Sequence, residues 1–468
     1  MSPNLHEFPA DCKFPVARHT QLLQDIFPSN LVEQIVHERI EEIEQTKHLR
    51  VRKLTLLLIL WLVITMNWYP KKSQSDVLSL MAAGAQVIWP TDEILLPKAN
   101  ALPYRRTQLG SEPVRKLFRQ VCRPLATTHT KGAFRLGYRI MALDGTWQNV
   151  PDTPANAAAF GRFQSGKNQS AFPQARVVIL VECGTHAIVD ADVDACRSSE
   201  HHGAHRLLRS LSSDMLLTLD AGFLSVGLWH GIRAQGAHVL GMVPSNKLRA
   251  KGQVLSDGTV LTRLAPSRTS LYPCKEAVPV RIISYHITDE RVGKTDKIFR
   301  LATTLLDPVT APAEELIALY HERWEVELVI DELKTHQHLS ARTLRSETPE
   351  GVYQEIYGWL LAHYALRSWM HRAALQADLD PEQLSFAQAL TVVEKALHSF
   401  ALLAPQGRSR VIGRLLREMA CNPLPPRRFR FNARVLRQPR SKWKRKWPKD
   451  YHGPHLKQTS FLDVVSLI

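Results

Sequence analysis

Between Tyr138 and Val243 the chain sets apolar runs of strand length against polar and helical stretches in a fixed order. Tyr138–Leu143 reads as a strand ending in Asp144-Gly145-Thr146. Arg176–Glu182 (RVVILVE) reads as a buried strand, Cys183-Gly184-Thr185 as a turn and His186–Val193 as the partner strand. Glu200–Ser212 then carries helical spacing, Met215–Leu219 (MLLTL) is a short strand ending in Asp220-Ala221-Gly222, Ser225–Gln235 is helical and His238–Val243 is a further strand. A three-strand meander followed by alternating helix and strand predicts a mixed α/β sheet. An RNase H-like core starts in this order, as do several other folds.

The flanks differ in texture. Residues 1–95 read as a helical N-terminal domain, with an amphipathic stretch at Leu31–Lys47 and a thirteen-residue apolar run at Leu54–Met66. That run falls short of the ~20 residues that span a bilayer, so a buried helix is expected and no membrane segment. Residues 96–130 form a basic connector carrying Arg105, Arg106, Arg115, Lys116, Arg119 and Arg123, with a helix over Glu112–Val121. The mixed α/β core is expected over 131–244 and 311–400. It is interrupted at 245–310 by a β-rich insertion with strands at Val280–Ile287 and Lys297–Leu306. Pro312 opens a long helix from Ala313 to about Thr335. Helices follow at Tyr353–Ala374, Pro381–His398 and Arg410–Ala420, and 401–468 reads as a C-terminal helical and basic segment.

Charge points to a polyanionic partner. The 468 residues hold 60 Lys and Arg against 44 Asp and Glu, a formal +16. The surplus is uneven: Arg427–Lys449 contains eleven cations and no acid, and without it 49 cations face 44 acids. Four aromatics (Phe429, Phe431, Trp443, Trp447) are interleaved there, which suits nonspecific contact with a DNA backbone. A second cluster, Arg50-Val51-Arg52-Lys53, reads as a solvated helix end or a phosphate contact. The six cysteines are scattered with no C-x-x-C pair, which argues against a zinc ribbon or a disulfide framework. The start, MSPNLHEFPADCKF, lacks the apolar core of a signal peptide, so a cytoplasmic protein is expected.

Asp144 and Asp220 each follow an apolar strand, a position that holds a carboxylate rigidly yet open to solvent. Either alone could be a turn or cap residue. The helix from Ala313 adds a third group. At about 100° per residue, Tyr320, Arg323, Glu327 and Lys334 fall within a sector of about 60°, with Trp324 on its border and an apolar face of Leu319, Val326, Ile330 and Leu333 beside it. Asp331 shares the strip as a rival to Glu327, while Glu322, Glu325 and Glu332 point elsewhere. Three carboxylates can hold two divalent ions about 3.5–4 Å apart for in-line phosphoryl displacement. Hard oxygen ligands favour Mg²⁺ or Mn²⁺ over zinc.

Tyr320-x2-Arg323-x3-Glu327-x6-Lys334 matches, spacing for spacing, the Y-(2)-R-(3)-E-(6)-K signature, and the chain resembles bacterial insertion-sequence transposases of the insertion-sequence-four family. Further similar stretches are 151–161, 171–188 and 344–367. The resemblance implies an RNase H-like core with a β insertion between the second Asp and the Glu. It implies a DDE triad of Asp144, Asp220 and Glu327. It also implies Mg²⁺-dependent cleavage at transposon ends with strand transfer into target DNA, Mn²⁺ substituting, by a homodimer that brings two ends together. Relatives can excise through a hairpin and flip a base. Tyr320, Arg323 and Lys334 would then grip phosphates, and Trp324 would stack on the displaced base or simply pack. The sequence departs from many relatives at Ala221, where they carry a basic residue.

Two rivals stay open at this level: a nuclease of the same fold that cuts without joining, and a transposase-derived protein that only binds DNA. Three other signals read as incidental. Asp190, Asp192 and Asp194 are expected at a solvated hairpin end, His201, His202 and His205 at a surface helix start, and the Asn168-Gln169-Ser170 glycosylation pattern as chance.

Overall fold

The computed structural model describes residues 21–46, 54–88, 101–165, 168–244, 252–266, 272, 274–288, 297–337, 343–400, 408–426 and 465–467. Both basic clusters, at 50–53 and 427–449, lie outside them.

The N-terminal region is helical: α1 (Ser29–Glu44), α2 (Leu56–Thr65), α3 (Gln74–Ile88), α4 (Ala101–Leu109) and α5 (Glu112–Val121). Nine of the ten residues of α2 are buried, as the apolar run requires, and Thr55 caps its start by accepting the Leu58 N–H. No described helix is long and apolar enough to cross a membrane. The segment read as a basic connector holds α4 and α5, and two of its arginines are buried. Arg105 donates to the Leu54 carbonyl at 2.7 Å, and Arg106 to Gln354 Oε1 at 2.7 Å and Ser346 Oγ at 2.9 Å.

The sheet begins with β1 (Tyr138–Asn149), which leads to a short helix α6 (Pro154–Phe160), then β2 (Gln174–Glu182) and β3 (Ala187–Ala195), an antiparallel meander. Helix α7 (Glu200–Leu207) crosses to β4 (Met215–Leu219), which runs parallel to β1. Helix α8 (Val226–Ala234) crosses to β5 (His238–Met242), parallel to β4. All five residues of β4 are buried, as a central parallel strand demands. The order β3-β2-β1-β4-β5 is the RNase H-like sheet.

The insertion supplies β6 (Gln253–Val254), β7 (Val260–Leu264), β8 (Val278–Ile287) and β9 (Ile298–Thr303). β9 returns antiparallel to β5, with Ala302 opposite Gly241, so one sheet runs β3-β2-β1-β4-β5-β9-β8-β7-β6. The C-terminal segment, expected helical and basic, adds a short strand, β10 (Val465–Leu467), beside β8.

The helix expected from Ala313 to Thr335 is broken. It forms α9 (Ala313–His321), then α10 (Trp324–Asp331), then a π-helical stretch at Glu332–Gln337. At the break the hydrogen bonds tighten to i→i−3, with Glu322 N–H on Leu319, Arg323 N–H on Tyr320 and Glu325 N–H on Glu322. The chain continues into α11 (Pro349–Gln376), α12 (Phe386–Phe400) and α13 (Arg408–Ala420).

The 28-residue α11 ties the helical region to the sheet. It crosses α2 at Gly358, where a Cβ would lie 2.6 Å from Val63 Cγ1 and 2.7 Å from the Val63 carbonyl oxygen. Gly358→Ala is therefore expected to destabilise the protein by about 1–3 kcal/mol through overpacking, read as a lower urea midpoint at unchanged slope.

Candidate active site

Strand register places the two aspartates. β1 pairs in parallel with β4 up to Ala142 opposite Thr218, and carrying that register two residues further sets Asp144 beside Asp220. Adjacent strands lie about 4.8 Å apart, so the two carboxylates emerge as neighbours where the parallel pairing ends. β1 itself does not stop at Leu143 as expected. Its other edge stays paired with β2 as far as Asn149 opposite Gln174, so Asp144 sits within a strand rather than at its tip.

Each aspartate is held by local backbone. Asp144 Oδ1 accepts the Gly145 N–H at 2.7 Å. Asp220 Oδ1 accepts the N–H groups of Gly222 (2.9 Å) and Phe223 (3.2 Å), capping the 3₁₀ turn Ala221–Phe223. Burial pushes the Asp144 carboxyl up to about 6, and the charges of Asp220 and Glu200 add to the rise against the Gly145 N–H and Arg323. For an acid raised in this way, the stability of the neutral form is present below its unfolded value and lost as pH rises through about 6. Asp144→Asn, neutral at every pH, is therefore expected to melt higher than wild type above pH 6. Below about pH 4 the two should melt alike, as thermal scans across pH would read.

Opposite the aspartates, α9 and α10 carry a group of neighbouring polar side chains. The Tyr320 hydroxyl donates to the Leu219 carbonyl at 3.2 Å, one residue before Asp220. The Arg323 guanidinium lies near the same hydroxyl and donates to Glu327 Oε1 at 2.8 Å. Burial works against the Arg323 charge, but Tyr320, Glu327 and Asp144 outweigh it and hold the guanidinium above its ordinary range. Burial pushes the Tyr320 hydroxyl up to about 12. The break in the helix thus leaves Tyr320, Arg323 and Glu327 together, with Arg323 the common neighbour of Glu327 and Asp144.

The remaining sequence candidates stand apart. Trp324 opens α10 and is 39% exposed. Lys334 lies in the π-helical stretch, where burial lowers its ammonium pKa, and no carboxylate among the described residues is within ion-pair distance of it. The rival Asp331 is exposed and accepts the Thr335 hydroxyl at 2.6 Å. Asp190 and Asp192 correct the sequence reading. They are buried rather than solvated, because Arg209 and Ser210 bond the first and Arg206 the second.

Three groups next to the site escaped the sequence. Glu200, at the start of α7, lies against Gly145, where a Cβ would come within 2.8 Å of its Oε1, and pairs with Arg176 at 2.9 Å. His201, read as a surface residue, donates from Nε2 to the Gly222 carbonyl at 2.8 Å and so braces the Asp220 turn. The third is a buried cluster behind Glu327. Glu325 and Glu332 meet His186 at 2.6 and 3.0 Å, while Arg367 and His363 also bond Glu332. The Ser199 cap before α7 was the one available sequence signal.

The donor set fits a divalent cation. Asp144 and Asp220 offer hard oxygens side by side, and a cation would relieve the penalty on Asp144. Glu327 is turned to Arg323, and among the described residues no three Asp, Glu, His or Cys side chains are grouped to hold one ion as they stand.

An RNase H-like sheet with one acid in its first strand just past the parallel pairing with the fourth, a second directly after the fourth strand and a third on the following helices is an arrangement suited to phosphoryl transfer. The "Transposase DDE domain" family model matches residues 135–365, and the "Insertion element 4 transposase N-terminal" model matches residues 17–119. "Transposase InsG for insertion sequence element IS4" of Escherichia coli strain K12 is 29% identical over 411 residues, covering 84% of this chain and 87% of InsG. "Putative transposase InsZ" of the same strain is 29% identical over 184 residues, 37% of this chain and 60% of its own. Among solved structures, a piggyBac transposase synaptic complex with hairpin DNA aligns at a TM-score of 0.46 and 14% identity, over 89% of this chain and 87% of that one. The chain belongs to the IS4 family of DDE transposases, enzymes that act on DNA.

Proposed function

We propose that this transposase cuts DNA at the ends of an insertion sequence and joins the freed ends to target DNA, with Asp144, Asp220 and Glu327 as carboxylate ligands of two Mg²⁺ ions, Mn²⁺ substituting. The observation that carries the reading is the register that brings Asp144 beside Asp220 under the Arg323–Glu327 pair. Bound ions would supply an activated water or 3′-hydroxyl and stabilise the leaving oxygen of an in-line displacement.

The chain's own residues do the holding. Carboxylates alone repel a phosphodiester, and the Arg323 guanidinium offers a fork that suits a phosphate. Tyr320, bonded to the end of β4, lies beside that guanidinium. Lys334 adds a half-buried cation further along the DNA end, and the exposed face of Trp324 offers a stacking surface for a displaced base. The N-terminal helices contribute to recognition of the ends, and the basic segment 427–449 contributes nonspecific backbone contact. Two ends require two active sites, so a homodimer on DNA, in the bacterial nucleoid, completes the assembly.

The test separates transposase from nuclease. Purified protein with Mg²⁺ is given a labelled duplex carrying the inverted repeat that flanks its gene, together with an unlabelled target duplex. The reading predicts cut ends that become covalently joined to the target. Cut ends that never join favour the nuclease, and binding without any cut leaves a DNA-binding relic.

A further inference from the structure

Arg323 does two things at once that a working site cannot keep. Its Nη2 donates to Glu327 Oε1 at 2.8 Å, and its charge acts on Asp144. The guanidinium is therefore already paired with one of the three acids read as metal ligands and acts electrostatically on a second. Its side chain is 18% exposed and that of Glu327 35%, so both can be reached from solvent. A carboxylate committed to a guanidinium has an oxygen and a charge less to offer a cation, and a guanidinium committed to a carboxylate has less to offer a phosphate.

We infer that Arg323 is a latch on Glu327 in the DNA-free protein, and that the phosphate of an arriving DNA end draws Arg323 away and releases Glu327 to complete the metal site. The inference rests on the reading of Asp144, Asp220 and Glu327 as metal ligands and adds an order to it. DNA and metal load together, because each removes the partner that holds back the other's ligand. Tyr320 is the positioning residue of the latch: its hydroxyl, fixed on the Leu219 carbonyl, lies beside the guanidinium and limits where it can swing. A transposase built this way is guarded against binding metal, and cutting, without its proper DNA end.

The coupling is measurable as binding, without any turnover. Free Mn²⁺ is read by electron paramagnetic resonance in titrations of the full-length protein, alone and with the inverted-repeat duplex. Wild type is expected to bind Mn²⁺ about tenfold more tightly, or better, with the duplex than without it. Coupling is reciprocal, so Mn²⁺ should tighten wild-type duplex binding by the same factor. Arg323→Gln is expected to bind Mn²⁺ tightly without DNA and to gain little from the duplex. Adding Glu327→Gln to that variant should remove the gain, and Arg323→Lys, which keeps the charge without the fork, should fall between the two. Equal Mn²⁺ affinity of DNA-free wild type, Arg323→Gln and Arg323→Lys overturns the latch. The double variant Asp144→Asn, Asp220→Asn tests the reading beneath it. If it binds Mn²⁺ like wild type, the ligand assignment itself fails. If it loses Mn²⁺ while the Arg323 variants match wild type, only the latch fails.

Discussion

Asp220→Asn is expected to bind the inverted-repeat duplex as wild type does and to cleave it at least about 10³-fold more slowly. Asparagine keeps a carbonyl oxygen where Asp220 Oδ1 now caps the N–H groups of Gly222 and Phe223, so the turn after β4 is retained. What is lost is an anionic oxygen beside Asp144. Metal stabilisation of the reacting phosphate amounts to several kcal/mol, and each ~1.4 kcal/mol is tenfold in rate. Single-turnover cleavage with enzyme in excess over labelled duplex reads the chemical step. A rate within tenfold of wild type would remove Asp220 from the site.

Arg367→Ala should produce the largest loss of stability. Arg367 is buried on α11, bonds both oxygens of Glu332, reaches His186 Nδ1 at 2.7 Å and lies 5.3 Å over the Phe386 ring. It is the permanent cation of a cluster holding two acids, Glu325 and Glu332. His363 cannot replace it, because burial pushes its imidazole down to about 3. Removing one partner of a buried pair costs about 3–5 kcal/mol, and urea unfolding should read a loss of that order. The same cluster fixes α10, which carries Glu327, so cleavage by the folded variant should fall as well. A loss under about 1 kcal/mol would mean that the cluster is solvated and carries no stability.

The sequence was most legible where one residue's neighbours are its chain neighbours. Apolar runs such as MLLTL and RVVILVE announced β4 and β2, and their order announced the sheet. Asp144 and Asp220 stood out because an acid directly after an apolar run must be exposed or paired. The spacing of Tyr320, Arg323 and Glu327 carried the third element of the site.

Other features depended on partners distant in the chain. Periodicity gives a face but no register, so the adjacency of Asp144 and Asp220 waited for the pairing of Ala142 with Thr218. The wheel assumed one straight helix, and the tightened bonds at Glu322–Arg323 break it. Asp190 and Asp192 looked solvated because their arginines come from elsewhere in the chain, Arg206 from α7 and Arg209 from the 3₁₀ turn after it. Glu325 and Glu332 were set aside as pointing away from the site, yet their partners on α11 and at the β2–β3 turn are what hold α10. Where the β-rich insertion joins the sheet was not legible, because nothing local indicates that β9 returns to pair with β5.

The most direct test of the site is a change of ligand softness at one of its acids. Asp144→Cys replaces a hard oxygen with a thiolate, which binds Mg²⁺ poorly and softer ions better. The variant should bind the inverted-repeat duplex, fail to cleave it in Mg²⁺ and recover cleavage when Mn²⁺ replaces Mg²⁺. Cleavage in Mg²⁺ at the wild-type rate, or a folded, DNA-binding variant silent in both ions, would contradict a metal bound through Asp144.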